Sequence, residues 1–208
     1  MFIEIHLEAK EKIIQVALEQ FMVYGIRAVT MDQIARQVGM SKKTLYEEFS
    51  SKEDLVNAAF EIALREDECA FDQMMEEDEG VIDHLLRMTR YLRERFSSMN
   101  PLVMHEIQRF YPQCWKKLED FKRDHAWKGI VEVLEKGKQS GDFREEINSE
   151  ILAFMRLEQI TSAFTGNVPG GKYSMLEYHL QIVDHFIHGI LTEKGRSNYY
   201  KKLAIHQS

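Results

Sequence analysis

The sequence predicts an all-α protein with short helices near its beginning and longer helices after them. Apolar residues recur every three or four positions along most of the chain, which places them on one face of a helix. Only three of the 208 residues are prolines, so little interrupts a helical pattern. Hydrophobic residues make up 44% of the chain, enough for a sizeable core.

The first two predicted helices have clear ends. The first begins near Leu7 and ends at Gly25. Thr30 and Gln33 have the spacing of a capping box, which predicts the start of a second, short helix. Gly39 predicts its end, because glycine readily takes the positive φ of a C-cap. The apolar face of this second helix contains Met31, Ile34, Ala35 and Val38.

A third short helix follows after a tight turn. Ser41 predicts its N-cap, and the helix extends from Lys42 to about Phe49. Ser51 with Asp54 predicts the cap of a long fourth helix. Short helices joined by such a turn form a helix-turn-helix arrangement. Burial of its apolar residues leaves four side chains of the third helix pointing outward: Lys42, Lys43, Thr44 and Glu47.

A third helix of this kind fits the major groove of DNA, where long side chains near its N-terminus can reach base edges. The helix N-termini at Thr30 and Lys52 suit phosphate oxygens, and the hydroxyl of Tyr46 can reach the DNA backbone. Glu47 could accept a hydrogen bond from a cytosine amino group, or it could face solvent as Glu48 could. The alternative is that the helix pair serves only for packing.

The charge distribution permits a DNA partner although the net charge is −7. Residues 10–52 contain seven Lys/Arg and five Asp/Glu, so the acidic excess lies in the rest of the chain. A locally basic segment can bind phosphate while an acidic body suppresses nonspecific association.

The segment TMDQIARQVGMSKKTLYEEFSSKEDL, residues 30–55, resembles the N-terminal domain of the tetracycline-repressor (TetR) family. The resemblance covers about residues 8–60, and its turn glycine, cap serine, TLY, Phe and SKE elements all coincide. It implies a homeodomain-like DNA-binding domain of three helices over residues 1–52. It also implies phosphate contacts from Thr30, Tyr46 and Lys52, and recognition-helix contacts from Ser41, Lys42, Lys43 and Thr44.

For residues 53–208 the resemblance implies a helical domain for ligand binding and dimerisation. Periodicity predicts helices over about 81–98, 101–110, 112–139, 150–166 and 175–193. The last two would pair between subunits of a homodimer, and a dimer could read both halves of a palindromic operator. The candidate interface residues, which could equally be core, are Ile151, Phe154, Leu157, Ile160, Phe164, Leu180, Val183, Phe186 and Ile190.

Methionine and aromatic side chains of the middle helices could line a pocket for a small apolar or amphipathic effector. The candidates are Met88, Tyr91, Met104, Phe110, Trp115, Phe121, Met155 and Gln159. Each could instead belong to an ordinary core. A polar ligand group could be oriented by His105, Arg109, Arg156 or Gln159, for which surface or structural roles are the alternative.

Other functions find less support. We expect a cytoplasmic protein with free thiols at Cys69 and Cys114, because neither a signal peptide nor a run of about 18 apolar residues occurs. His179, Asp184, His185 and His188 lie close in sequence, but nothing dictates a complete metal site. Catalytic motifs are absent, so we expect no enzyme and no cofactor. The alternatives kept open are a DNA-binding protein without an inducer, an activator or structural dimer, and a helical-bundle enzyme or carrier.

Overall fold

The computed structural model describes residues 2–76, 80–165 and 172–206. The predicted all-α class is confirmed: these residues form helices and no strand, apart from an isolated bridge between Phe143 and Leu191. The α-helices are α1 (Phe2–Tyr24), α2 (Met31–Val38), α3 (Lys42–Glu48), α4 (Lys52–Glu76), α5 (Val81–Ser98), α6 (Leu102–Phe110), α7 (Pro112–Phe121), α8 (Trp127–Gln139), α9 (Ser149–Phe164), α10 (Met175–Ile190) and α11 (Glu193–His206). A π-helical segment, Lys122–Ala126, joins α7 to α8.

The chain divides into two compact units. The first unit contains the chain up to Glu68 together with Ser98–Leu118, and the second contains Cys69–Ser97 and Glu119–Ser208. The predicted functional division after residue 52 stays a prediction. No helix in the described part of the chain is long and apolar enough to cross a membrane.

The core of the first unit forms where α1 to α4 meet. Its fully buried side chains include Ile13, Ile34, Leu45 and Leu55, one from each of these four helices. Asn100, which precedes α6, binds the end of α1: its backbone N–H donates to the Met22 carbonyl at 2.8 Å. Its side-chain amide donates to the Val23 carbonyl at 3.0 Å. These bonds satisfy carbonyls that a helix end leaves without partners.

A hydrogen bond to α6 fixes the connection between α1 and α2. Glu106 is buried, and its carboxylate accepts a hydrogen bond from the backbone N–H of Arg27 at 3.0 Å. Gly25 has a φ of +84°, and a Cβ at this glycine would lie 3.6 Å from Oε2 of Glu106. The α6 carboxylate therefore holds the turn that leads into the helix-turn-helix.

The core of the second unit is built from α5, α8, α9, α10 and the connection after α8. Buried residues from these elements include Leu86, Leu134, Ala153 and Ile187. Phe143 inserts directly over α8, because Gly137 has no Cβ: a Cβ there would lie 1.9 Å from the Phe143 ring. The position of the Phe143 ring thus depends on the absence of a side chain at Gly137.

The prediction of one final helix over 175–193 was wrong at its C-terminal end. Helix α10 ends at Ile190, and a further helix, α11, follows. Thr192 separates them: its hydroxyl accepts from the Gly195 N–H at 3.0 Å, as an N-cap does, and donates to the Gly141 carbonyl at 2.8 Å. The buried carboxylate of Asp142 accepts from Asn198 of α11 at 2.9 Å. The end of α10 is therefore set by partners about 50 residues away in sequence.

Candidate nucleic-acid interface

The turn between α2 and α3 is closed by local hydrogen bonds. Gly39 has a φ of +79°, and the Met40 N–H donates to the Ala35 carbonyl at 2.9 Å. This is the bonding of a left-handed helix end, which favours glycine because the conformation is strained for other residues. Ser41 then caps α3 by accepting from the Thr44 N–H at 3.1 Å. The predicted end of α2 and start of α3 are confirmed.

Helix α3 has one buried and one exposed face. Leu45 is fully buried, and Phe49 immediately after the helix is 4% exposed. Lys43 lies on the opposite face, with 88% of its side chain exposed, and its ammonium is 3.8 Å from the Glu47 carboxylate. The side chain of Lys43 is thus held only by a loose surface pair, which stabilises little.

Lys42 and Tyr46 form a second exposed group, one turn apart. The Lys42 ammonium lies 2.8 Å from the Asp32 carboxylate of α2 and 5.9 Å from the centre of the Tyr46 ring. The hydrogen bond to Asp32, together with its negative charge, raises the pKa of Lys42. Tyr46 is 41% exposed. Because the Lys42–Asp32 pair is exposed, little energy opposes exchanging the carboxylate for a DNA phosphate.

Thr30 and Ser41 are exposed residues whose hydroxyls already serve as helix caps. The Thr30 hydroxyl accepts from the Gln33 N–H at 3.3 Å, and the Gln33 side chain accepts from the Thr30 N–H at 2.7 Å. The predicted capping box is thus confirmed. The hydroxyls of Ser41 and Thr44 lie 2.9 Å apart. These residues position the N-termini of α2 and α3.

Lys52 has a different environment from the lysines of α3. It is half-buried, and its ammonium donates to the backbone carbonyl of Val29 and, at 3.5 Å, to that of Arg27. Burial lowers the pKa of Lys52. The side chain therefore connects the start of α4 to the loop before α2. Its predicted phosphate contact would use the ammonium N–H that is not bound to these two carbonyls.

Sequence reasoning missed three residues that support this surface: Asn100, Glu106 and Arg27. The Arg27 guanidinium lies 4.7 Å from the ring of Phe110, and its backbone N–H is the one bound by Glu106. Glu106 was hard to find because its partner is 79 residues away. In the sequence, Glu106 stands out only as a glutamate on the apolar face of a predicted helix.

The eight predicted effector residues are distributed over both units. Met104, Phe110 and Trp115 belong to the first unit, and Met88, Tyr91, Phe121, Met155 and Gln159 belong to the second. Their exposure also differs, since Met104 is buried whereas Phe110 is 42% and Met155 38% exposed. Phe121 packs against His125, with ring centroids 5.6 Å apart. The structure therefore does not assemble the eight within one unit.

An open surface cleft of about 660 Å³ contains none of the predicted effector residues. It lies at the start of α11 in the second unit, and its lining consists of Arg144, Leu191, Thr192, Glu193, Arg196, Ser197 and Tyr200. Among the described residues, no three His, Cys, Asp or Glu side chains are grouped so that they could hold a metal ion.

The fold and this surface define a helix-turn-helix DNA-binding protein with an additional helical region. A family model described as bacterial regulatory proteins of the tetR family matches residues 13–59, which contain α2, α3 and the turn between them. Residues 13–59 thus form a DNA-binding domain of the TetR type, and the chain is a transcriptional regulator of that type.

Two relatives in Bacillus subtilis (strain 168) extend the similarity. The helix-turn-helix transcriptional regulator YvaF, itself uncharacterised, is 26% identical over 167 residues, which cover 79% of this chain and 87% of YvaF. The regulator YhgD is 33% identical over 70 residues, or 34% of this chain and 37% of YhgD. The similarity to YvaF thus extends well beyond the DNA-binding segment.

Solved structures share the fold over most of the chain. A TetR-family regulator from Agrobacterium tumefaciens superposes with a TM-score of 0.71 at 16% identity, covering 90% of this chain and all of that one. A regulator from Saccharomonospora viridis in complex with choline superposes with a TM-score of 0.69 at 22% identity, covering 89% of this chain and 99% of that one.

Proposed function

We propose that this regulator is a repressor that binds a palindromic operator as a homodimer and leaves it when a small molecule binds. The observation that carries the DNA-binding surface is the exposed face of α3, which presents Lys42, Lys43 and Tyr46. Leu45 on the opposite face is fully buried, so α3 is anchored while these three side chains stay accessible. Such an anchored helix fits the major groove.

The residues at this surface have different tasks. Lys42 and Lys43 supply positive charge close to the N-terminus of α3, where phosphates and base edges are within reach. The Tyr46 hydroxyl and the donors at Thr30 and Lys52 contact phosphate. Ser41 and Thr44 hold the N-terminus of α3 in place and lie beside the groove.

The homodimer forms through α9 and α10, and the exposed apolar side chains at the start of α9 support this. Ile151 is 64% and Phe154 61% exposed within one chain. Val183, Phe186 and Ile190 are already buried in the core of the same unit, so the accessible contact surface lies elsewhere on these helices. Two subunits would place their α3 helices one helical turn of DNA apart, about 34–36 Å.

Ligand release requires that the effector bind the two conformations of the dimer unequally. A tenfold loss of operator affinity needs about 1.4 kcal/mol of differential binding. The choline complex of the Saccharomonospora viridis regulator supports the idea that this fold accommodates a small molecule.

The first test is selection of the operator from random duplexes, followed by fluorescence anisotropy across a salt series. We expect preference over a scrambled duplex, and weaker binding by Lys42→Ala combined with Tyr46→Phe while the helical content stays unchanged. Equal weak binding to both duplexes would contradict operator recognition. A reporter gene placed behind the selected site then distinguishes repression from activation.

A further inference from the structure

A buried group of polar and aromatic side chains in the second unit has no part in the DNA-binding surface. Arg156 of α9 is 6% exposed and His179 of α10 is 1% exposed. An aromatic ring lies beside each of them. Phe96 stacks on His179 with ring centroids 4.3 Å apart, and Phe164 stacks on Phe96 at 4.2 Å. The guanidinium of Arg156 lies 5.7 Å from the centre of the Phe186 ring.

The charge of Arg156 has no counter-charge in the part of the chain that the structure describes. No carboxylate there forms an ion pair with the guanidinium, and its Nη1 is buried without a hydrogen-bond acceptor. Burial lowers the pKa of Arg156 to about 10, which leaves the group charged at neutral pH. Buried arginines are almost always paired, because an unpaired buried charge is costly.

Two further polar atoms near Arg156 are buried without partners. They are Nε2 of His179 and Oε1 of Gln159, which follows Arg156 by one turn on α9. Burial, and after it the positive charge of Arg156, lower the pKa of His179 to about 3. The imidazole is therefore neutral, and it can donate one hydrogen bond from Nε2 without adding charge. We call Arg156, Gln159 and His179 the Arg156 cluster.

We propose that two members of the Arg156 cluster, the guanidinium of Arg156 and Nε2 of His179, bind the carboxylate of a small apolar acid, whose apolar part lies beside the aromatic residues around the cluster. One guanidinium is neutralised by a single negative charge, whereas a phosphate dianion would leave a net charge in an apolar environment. Guanidinium and carboxylate also match in geometry, since they can form two parallel hydrogen bonds. The proposal names the chemical class of the effector and rests on the proposed function only for its effect on DNA binding.

The test measures binding directly, without DNA. Octanoate and phenylacetate are titrated into the full-length protein by calorimetry, each beside its neutral primary amide. We expect at least one acid to bind while its amide does not. Arg156→Met should abolish this binding, and Arg156→Lys, which keeps the charge but loses the planar fork, should weaken it about tenfold. Arg196→Met, at the open surface cleft, is the matched control and should bind like the unchanged protein.

Stability without ligand separates binding from a purely structural role of Arg156. The charge of Arg156 is unpaired in the ligand-free protein according to this proposal. Arg156→Met should therefore unfold at an equal or higher denaturant concentration than the unchanged chain. A large destabilisation by this change would show that Arg156 is a structural residue and would overturn the proposal.

The remaining outcomes are also distinct. Equal binding of acid and amide, binding of neither acid, or undiminished binding by Arg156→Met would each overturn the site. Loss of binding in Arg196→Met alone would place the carboxylate in the surface cleft and overturn it as well. Binding that depends on Arg156 but leaves operator affinity unchanged would support the site and contradict only the ligand-release part of the proposed function.

Discussion

Lysine and histidine side chains in this chain differ in how far they are exposed to solvent, and their roles differ accordingly. The Lys43 side chain is almost fully hydrated on α3, whereas Lys52 is half-buried and bound to backbone carbonyls. His179 of α10 stacks on Phe96 of α5 and stays neutral. A hydrated charge can pair with a DNA phosphate at little cost, whereas a change to a buried group also alters the stability of the fold.

Lys43→Ala should weaken operator binding without affecting the fold. The side chain is 88% exposed and makes only the 3.8 Å pair with Glu47. Each phosphate contact contributes about 0.9 to the slope of log affinity against log salt, so a dimer that loses two contacts should lose about 2 from its slope. Anisotropy at several salt concentrations measures this. Lys128→Ala, exposed in the second unit, should leave the slope unchanged.

If Lys43 instead reads a base edge, the same experiment has a different result. The salt slope would change little, and the variant would lose discrimination at one base pair of the selected operator. An unchanged affinity and specificity would contradict any contact between Lys43 and DNA.

His179 should make the protein less stable in mild acid. Its pKa is about 3 in the folded chain, below the ordinary value of 6.5, so between these values the unfolded chain binds the extra proton. The free energy of unfolding is therefore highest above pH 6.5 and falls as the pH is lowered. From about pH 7 to about pH 5, this one group should remove about 2 kcal/mol.

Replacing His179 by phenylalanine isolates that contribution. The substitution keeps a ring against Phe96 but removes the titrating group, so urea denaturation should show a smaller loss of stability in acid than for the unchanged chain. His84, whose pKa is also lowered by burial, remains in both proteins and cancels in the comparison. His105→Phe, the same ring exchange at an exposed position of α6, is the matched control for the substitution itself.

At the scale of elements, α6 is bound to the DNA-binding helices by specific hydrogen bonds. Glu106→Ala removes the acceptor of the Arg27 N–H, and a hydrogen bond to a charged group contributes about 1.5–3 kcal/mol. We expect a loss of stability in this range, with faster hydrogen exchange of the Arg27 amide. Glu106→Gln keeps an acceptor and should lose less, and Gln108→Ala on the exposed side of α6 should have no effect.

The same elements show what a sequence can and cannot predict. The ends of α2 and α3 were predictable because Thr30, Gly39 and Ser41 act on residues at most four positions away. Helix α11 was missed because Thr192 and Asp142, which separate it from α10, act across about 50 residues. The hydrogen bond of Glu106 and the burial of Arg156 without an acceptor likewise depend on tertiary packing. Only the residue types at these two positions were visible in the sequence.

For the whole molecule, the proposed recognition of an operator requires two copies acting together. The exposed part of one short helix such as α3 is too small a surface for tight specific binding. Linking two such helices makes the second contact intramolecular, which raises the overall affinity by about 100-fold or more. The apolar side chains of Ile151 and Phe154 are exposed in one chain, so they offer surface that a second copy can bury.

Replacing Ile151 and Phe154 together by glutamate should therefore give a folded monomer that binds the operator at least about 100-fold more weakly. Both side chains are more than 60% exposed in one chain, so their replacement should leave its core intact. Sedimentation velocity measures the assembly, and anisotropy measures the DNA affinity. Leu102→Glu, which changes a residue 54% exposed on α6, makes the same chemical change away from α9 and should stay dimeric.

A double variant that still dimerises would exclude this face of α9 as the interface. A monomer with undiminished operator affinity would show that one α3 is enough for operator binding, because the second copy would then contribute nothing to the affinity.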